Sequence, residues 1–244
     1  MNGQKTKLTL VEEFLTIYNE LDSFMRKQLR CRDASHIFLL DRMAEKNYIF
    51  RNFREELKEY ARLRNAIVHN PFMRIAEPIA EPHFEIVRRY QTLKDKILNP
   101  PRAMSIAVGV GDIYATALDA NALETMKVMN EKIYSFVPVL NIRKRIVGVF
   151  SENVIFSYLT ENEACIIDKS TKISEFWKYV PIEKHSSEYF EFVPKNTLVA
   201  GIKEKFEIGL TQRKRLGVVY ITDNGRSDGL LLGMITAWDM AGNE

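Results

Sequence analysis

The second half of the 244-residue chain repeats its own pattern of short strands and helices. The segment Ile-Val-Gly-Val-Phe-Ser at residues 146–151 recurs as Leu-Leu-Gly-Met-Ile-Thr at residues 231–236, which is 85 positions later. In both places a strand, a helix and a further strand are predicted before the segment, and a helix after it. A unit of this size cannot close a hydrophobic core alone, so the two copies are expected to pack as an internal pseudo-dimer.

The strands and helices of the two copies fall in the same order. In the first copy, strands are expected at residues 113–116, 135–140 and 145–150, with helices at 121–130 and 152–159. In the second copy, strands are expected at 190–194, 215–222 and 230–235, with helices at 198–207 and from 238 onward. Residues 161–189 are longer than a usual connection. They are compatible with an extra helix at 171–179 docked on the pair, and also with a lid near a ligand cleft.

Asn99-Pro100-Pro101 is the clearest boundary in the sequence, because consecutive prolines end a helix and stiffen the chain. Before it, apolar residues recur at spacings of three and four, which predicts a bundle of amphipathic helices. These helices are expected at residues 9–29, 34–44, 48–69 and 83–97. Thr9 and Glu12 have the spacing of a capping box at the start of the first helix.

These patterns predict a multidomain chain of the α plus α/β class, with an N-terminal helical bundle followed by a β-α-β-β-α tandem repeat. The expected divisions are a bundle at 1–99, a linker at 100–102, a first repeat at 103–160, an insertion at 161–189 and a second repeat at 190–244. At 244 residues, the chain is long enough for two domains of ordinary size or for one large domain.

The composition fits a globular protein and leaves most partner classes open. The net charge of +3 is too small to identify a nucleic-acid binder, although Lys and Arg outnumber Asp and Glu by four within residues 1–99. The two cysteines, Cys31 and Cys165, indicate neither a disulfide framework nor a zinc site, and no metal is predicted. We see no secretion signal and no apolar run of membrane-spanning length, so we expect a cytoplasmic protein that does not enter a membrane.

One short segment of the first half brings polar side chains together near the end of a helix. The apolar stripe of the helix predicted at 48–69 places Arg64 where a core-facing residue is expected. A guanidinium there needs a partner, a wet cleft or an interface. Asn65 and His69 are four residues apart on a neighbouring strip, and Pro71 ends the helix so that His69 falls in its last turn. An ordinary helix-end cation and a capping His would also explain this pattern.

Arg64, Asn65 and His69 resemble the signature of the HEPN family, an all-helical class whose motif is Arg, a polar residue, three more residues and His. The resemblance implies a metal-independent ribonuclease in which two protomers form one composite site. It also implies that His69 handles the proton of a ribose 2′-hydroxyl, that Arg64 stabilises phosphate charge and that Asn65 orients the other two. Histidine titrates near neutral pH and arginine offers a planar fork to phosphate oxygens, which suits these roles.

The second copy carries a short motif where its last strand meets its last helix. Gly233, Thr236 and Asp239 follow the order Gly, two apolar residues, Ser or Thr, two residues, Asp. With the repeat, they resemble tandem CBS domains, regulatory modules that often bind adenosine-containing ligands between two copies. This resemblance covers residues 103–244. It implies that the hydroxyl caps the helix and meets phosphate while the carboxylate holds the ribose hydroxyls. Thr236 and Asp239 would also serve as an N-cap and a first-turn acid without any ligand.

The first copy departs from this motif. Gly148 and Ser151 match it, but Val154 stands at the Asp position. Asn153 is one residue early, and on a helix it would point about 100° away from the required direction. The resemblance therefore implies one competent ribose site in the chain, in the second copy.

Two groups of charged or titratable residues remain. Lys214 and Arg215 begin a strand, near where CBS proteins place phosphate-binding cations, and a solvated loop is an equal alternative. His185 has no acidic partner that the sequence reveals, so it is not predicted to be catalytic. His36 and His83 are interpreted as surface or capping residues, because no ligand set surrounds them in the sequence.

Two functions follow from these resemblances. In the first, the chain is an endoribonuclease regulated by an adenine nucleotide (AMP, ADP or ATP): the helical bundle cuts RNA and the CBS pair gates it. In the second, nothing is cleaved, and the chain is a sensor of adenine nucleotide whose helical bundle mediates dimerisation or partner binding. Both predict a homodimer, because CBS pairs often associate and the ribonuclease site needs two motifs.

Overall fold

The computed structural model describes residues 9–68, 80–162, 166–209 and 213–241. The chain forms two compact units, Met1–Pro100 (the helical unit) and Pro101–Glu244 (the repeat unit). The described helices of the helical unit are α1 (Leu10–Leu29), α2 (His36–Lys46), α3 (Tyr48–Asn52), α4 (Arg54–Val68) and α5 (Phe84–Leu98). Within the described ranges, no helix is both long enough and apolar enough to cross a membrane.

The capping box predicted for the first helix is present. The Thr9 side chain accepts a hydrogen bond from the Glu12 backbone N–H, and the Glu12 carboxylate accepts one from the Thr9 backbone N–H. At the other end of α1, Arg30 adopts the left-handed conformation, with φ of 51°, and its backbone N–H bonds the last turn. These bonds satisfy backbone groups that a helix end leaves without intrahelical partners.

The single helix predicted from residue 48 is two helices. Phe53 has φ of −103° and ψ of 17°, which separates α3 from α4. The backbone bonds from Phe53 N to Ile49 O and from Leu57 N to Phe53 O nevertheless keep the four-residue spacing across the break. Because the apolar periodicity continues, the sequence pattern does not show the interruption.

Aromatic rings fill the centre of the helical unit. The rings of Tyr60 and Tyr90 stack with their centroids 4.1 Å apart, and the Phe14 ring lies 5.2 Å from that of Tyr90. All three side chains are buried and come from α1, α4 and α5. Their contacts tie distant parts of the unit together through one apolar cluster.

The repeat unit alternates strands and helices. Its described strands are β1 (Val108–Gly109), β2 (Phe136–Leu140), β3 (Ile146–Ser151), β4 (Glu188–Pro194), β5 (Arg215–Thr222) and β6 (Leu231–Ile235). Its described α-helices are α6 (Ala122–Lys132), α7 (Glu152–Glu161), α8 (Val199–Gly209) and α9 (Ala237–Ala241). These positions reproduce the predicted repeat, apart from the first strand of the first copy.

Four strands form one sheet in the order β1-β6-β5-β4, and β2 pairs antiparallel with β3 in another. The strand predicted at residues 113–116 is reduced to a single parallel bridge between Thr116 and Val139. Thr116 exchanges bonds with Pro138 O and Leu140 N. The next bond along a parallel ladder would need an N–H from Pro138, which proline lacks, so the ladder stops there.

The insertion between the repeats docks on the first repeat. The helix predicted at 171–179 is a short 3-10 helix, Ile173–Phe176. Ile173, Phe176 and Val180 are fully buried in the core of the first repeat. The carbonyl of Val180 also accepts a hydrogen bond of 2.9 Å from the backbone N–H of Val149 in β3. This segment is therefore part of the repeat's core.

Candidate functional site

Strand register brings the two repeat motifs and the predicted cations to strand ends of the repeat unit. The parallel strands β4 and β5 begin together, because Glu188 pairs with Arg215. The antiparallel strand β6 ends at Ile235, which pairs with Val219, four residues along β5 from Arg215. Thr236 follows directly and leads into α9. In the first repeat, β3 ends at Ser151, which leads into α7 in the same way.

In the second repeat, the motif residues Thr236 and Asp239 lie in contact. The Asp239 Oδ2 atom accepts hydrogen bonds of 2.7 Å from both the backbone N–H and the hydroxyl of Thr236. Gly233 lies in β6, three residues before Thr236 and opposite Gly109 of β1. A Cβ atom at Gly233 would come within 3.1 Å of the Val108 carbonyl oxygen, so the glycine permits the close approach of β1.

The first repeat has the same geometry with different residues. The Ser151 hydroxyl accepts a hydrogen bond of 3.3 Å from the Val154 backbone N–H and so caps α7. A Cβ atom at Gly148 would lie 2.4 Å from the Val180 carbonyl oxygen, so the insertion presses against this glycine. Val154, which replaces the motif Asp, is buried in the apolar core.

The sequence motifs did not identify Glu188, which supplies a carboxylate to the first repeat. Its Oε1 atom accepts a hydrogen bond of 2.5 Å from the Ser151 hydroxyl, and its Oε2 atom accepts one of 2.6 Å from the Asn153 side-chain amide. The Nδ1 atom of His185 lies 3.0 Å from Oε1. The side chains of Glu188 and His185 are 0% and 1% exposed. We name Ser151, Asn153, His185 and Glu188 the buried acid cluster.

Hydrogen bonding determines the charge of this cluster. Burial by itself raises the pKa of Glu188, but the bonds from His185, Ser151 and Asn153 outweigh burial and hold the pKa below its ordinary value. The other ring nitrogen of His185, Nε2, lies 3.3 Å from the Val180 carbonyl oxygen. Both ring nitrogens of His185 therefore face oxygen atoms.

His185 thus has an acidic partner, contrary to the interpretation from sequence. Glu188 is three residues away, and a bend between them lets the side chains meet. The arrangement is not a nucleophilic triad, because the Ser151 hydroxyl bonds to Glu188 instead of to a histidine nitrogen. All three side chains are also closed to solvent.

The predicted cations Lys214 and Arg215 lie beside the buried acid cluster. Lys214 Nζ donates a hydrogen bond of 2.6 Å to the His185 carbonyl oxygen. Arg215 lies over the Phe136 ring at 5.9 Å, and its Nη2 atom is 3.8 Å from the Glu188 Oε2 atom. The Arg215 side chain is 63% exposed, so much of it still faces solvent.

In the helical unit, Arg64 and Asn65 lie together. Arg64 Nη1 donates a hydrogen bond of 3.2 Å to Asn65 Oδ1, and the guanidinium lies 5.1 Å from the centroid of the Tyr18 ring. Asn65 is exposed, whereas Arg64 is half-buried. The third motif residue, His69, lies outside the described residues.

His36 is more buried than its sequence interpretation allows. Its ring stacks on Tyr18 with centroids 4.2 Å apart, and its Nδ1 atom lies 2.9 Å from Asp22 Oδ1. Burial lowers the pKa of His36, and the Asp22 carboxylate opposes that change only partly. The interpretation as a plain surface residue is therefore wrong. His83, in contrast, is exposed and precedes α5 without a side-chain cap bond.

A cleft of about 760 Å³ lies elsewhere on the first repeat, between the turn after Thr116 and the turn joining β2 to β3. Asn121, Glu124 and Lys144 are among its lining residues, and the motif residues are not. No three His, Cys, Asp or Glu side chains in the described parts of the chain are placed to hold a metal ion. The cleft therefore lies apart from the motif residues.

No protein-family model matches this chain, and comparison with curated proteins gives no match. Solved structures similar to it are CBS-domain proteins. A hemolysin-like protein containing a CBS domain from Oenococcus oeni PSU is 20% identical, with 60% of this chain and 91% of that chain covered and a TM-score of 0.41. CbpB in complex with c-di-AMP is 18% identical, with coverages of 61% and 86% and a TM-score of 0.44. CBSX2 in complex with AMP is 14% identical, with coverages of 58% and 94% and a TM-score of 0.41.

Proposed function

We propose that the repeat unit is a pair of CBS domains that binds an adenine nucleotide at the second repeat, and that the protein is a nucleotide-sensing regulator. The observation that carries the proposal is the contact of the Asp239 carboxylate with both the hydroxyl and the backbone N–H of Thr236, where β6 leads into α9. The helical unit would then transmit the signal by dimerisation or by binding a partner.

These residues offer the chemistry that a nucleoside phosphate needs. A carboxylate has room for several hydrogen bonds, so Asp239 can serve the cap and accept ribose hydroxyls together. The Thr236 hydroxyl would meet a phosphate oxygen by turning its proton away from Asp239. Lys214 and Arg215 would supply positive charge to the phosphate, and the Arg215 side chain is 63% exposed. We therefore assign Gly233, Thr236, Asp239, Lys214 and Arg215 to the site.

Isothermal titration calorimetry with AMP, ADP, ATP and c-di-AMP tests this proposal. We expect at least one of them to bind the wild-type protein. Asp239→Ala should weaken that binding roughly 100-fold, because it removes charge-assisted bonds to the ribose. Asp228→Ala is the matched control, since Asp228 is an exposed acid of the same repeat. Equal affinity in the wild type and Asp239→Ala would contradict the proposed site.

RNA cleavage by the helical unit stays a prediction. Two of the three motif residues, Arg64 and Asn65, lie in contact, and the Arg64 guanidinium also lies over the Tyr18 ring. Purified protein should then cut RNA in the presence of a chelator, and His69→Ala should abolish the cleavage while the fold persists by circular dichroism. The control is His83→Ala, which changes an exposed histidine of the same unit. If no nucleotide condition gives His69-dependent cleavage, the ribonuclease prediction fails and only the nucleotide-sensing function remains.

Self-association is the remaining part of this proposal. Phe156 on α7 and Trp238 on α9 are 66% and 87% exposed, and large apolar side chains this exposed mark contact surfaces when they recur on equivalent elements. We propose that a second copy of the chain covers them. Sedimentation velocity should show a dimer that Trp238→Ser weakens. A wild-type monomer at micromolar concentration would contradict this part.

A further inference from the structure

We infer that the carboxylate of Glu188 is an internal anion that occupies the ligand position of the first repeat, so that each chain has one nucleotide site. That position is the start of α7, where Ser151 stands as Thr236 does in the second repeat. The number of nucleotides bound rests on the proposed function. The recognition of an anion by this cluster does not.

The cluster is built to hold a negative charge. Ser151, Asn153 and His185 donate to the two carboxylate oxygens, and Arg215 lies 3.8 Å from Oε2. Because the Glu188 side chain is completely buried, every one of these donors replaces water that a free carboxylate would bind. The Ser151 hydroxyl also caps α7, a helix of ten residues, so the carboxylate lies at the positive end of the helix dipole.

A phosphate entering the first repeat would need the groups that Glu188 already uses. The ligand would have to displace a bound carboxylate and leave that charge unpaired in the interior, which is costly. Val180 covers the adjacent Gly148, and Val154 lies in the core where the ribose acid of the motif would stand. Residues of the insertion, of β4 and of α7 therefore all fill the ligand position of the first repeat.

In the second repeat the motif acid, Asp239, comes from α9 itself, and its contacts to Thr236 join residues only three apart. Thr236 and Asp239 are half-buried, whereas Glu188 is completely buried. Together with the nucleotide site proposed for the second repeat, an internally filled first repeat predicts a single nucleotide bound by each chain.

Chemical rescue tests whether the cluster recognises an anion. Glu188→Ala removes the side chain and leaves a space lined by its donors, which acetate or inorganic phosphate can enter. We expect 100 mM acetate or phosphate to raise the melting temperature of Glu188→Ala by about 2–4 °C over sodium chloride at equal ionic strength. The wild type should show no such difference. Neither should Glu191→Ala, which removes an acid of the same strand whose partner is Lys205.

Failure of rescue in a folded Glu188→Ala variant would overturn the inference. If that variant does not fold, Glu188→Gln provides a second test, because its amide fills the same space without a charge. Its melting temperature at pH 7 should lie below that of the wild type, and an equal melting temperature would overturn the inference. The wild-type protein gives an independent result by equilibrium dialysis with AMP. One AMP per chain supports the inference, and two AMP per chain overturn it. Absence of AMP binding with anion rescue intact would instead count against the proposed nucleotide site.

Discussion

In both repeats a helix starts directly after a strand, and an acid bonds to the hydroxyl residue at that start. The two acids come from different parts of the sequence. In the second repeat, Asp239 is three residues from Thr236 and belongs to the helix that it caps. In the first, Glu188 is 37 residues from Ser151 in sequence and comes from the next repeat's first strand. A local acid can change partners without moving the fold. An acid that joins distant segments holds the fold together.

The difference shows how the two copies of a duplicated unit can take different roles, one in stability and one in ligand binding. Both helix starts keep a glycine and a hydroxyl residue in the motif positions, so the strand-to-helix geometry is shared. What separates them is burial: Glu188 is completely buried, whereas Asp239 is half-buried. Buried charge contributes to stability only while its partners remain, and exposed charge remains available to a ligand.

The largest expected effect comes from removing the two acids in turn. Glu188→Ala should lower the free energy of unfolding by about 3–5 kcal/mol, because it leaves buried donors and the buried His185 without their acceptor. Asp239→Ala should cost about 1 kcal/mol, the value of a helix cap. Urea unfolding monitored by tryptophan fluorescence measures both.

Equal losses from the two acids would show that the repeats do not divide their roles in this way. The control for surface charge is Glu191→Ala, because Glu191 is an acid of the same strand whose ion pair with Lys205 is partly exposed. Its expected cost is below about 1 kcal/mol.

The two hydroxyls should differ in the same direction. Ser151→Ala removes the cap of α7 and a bond to a buried carboxylate, so we expect a loss of about 2–3 kcal/mol. Thr236→Ala removes a part-buried bond and should cost about 1 kcal/mol. Measuring both by urea unfolding sharpens the comparison, because each change deletes one hydroxyl at an equivalent position. A larger loss at Thr236 would reverse our assignment of roles.

The motif glycines give a third pair. A methyl group at Gly148 would lie 2.4 Å from the Val180 carbonyl oxygen, a backbone atom that cannot move aside alone. At Gly233 the nearest atom is 3.1 Å away. We expect Gly148→Ala to cost about 3 kcal/mol and Gly233→Ala about 1 kcal/mol or less, both measured by thermal unfolding. Similar melting temperatures would mean that the insertion yields more easily than its contacts indicate.

Much of the fold could be predicted from local patterns. The capping box of Thr9 and Glu12, the repeat and most of its elements are consequences of short-range periodicity and turn chemistry. The missing strand at 113–116 could not be seen that way, because its ladder stops at Pro138 on a neighbouring strand. The sequence shows Pro138, but it does not show that the strand carrying Pro138 pairs with residues 113–116.

The site could be predicted only where its residues are close in sequence. Thr236 and Asp239 are three apart, a spacing at which the helix period brings side chains together, and their motif is visible in the sequence. Glu188 meets Ser151 only through the packing of the insertion, and Asp22 meets His36 across two helices. One feature of the sequence pointed toward the contact of Ser151 with Glu188. Val154 stands where the motif has an acid, so an acid that bonds to Ser151 has to come from another part of the chain.

The smallest expected effect is a dependence on acid pH at the buried acid cluster. The pKa of Glu188 is lowered in the folded protein, so its carboxylate contributes stability above its unfolded pKa of about 4.3 and loses that contribution as pH falls through the folded value. Acidification removes no positive charge from Lys214 or Arg215, so the loss belongs to the acid.

Glu188→Gln, which cannot ionise there, provides the reference. The difference in unfolding free energy between the wild type and Glu188→Gln should be constant from pH 7 to about 5 and should shrink below about pH 4. A difference for Glu188 that stays constant down to pH 3 would mean that the cluster is held by packing instead of by its charge.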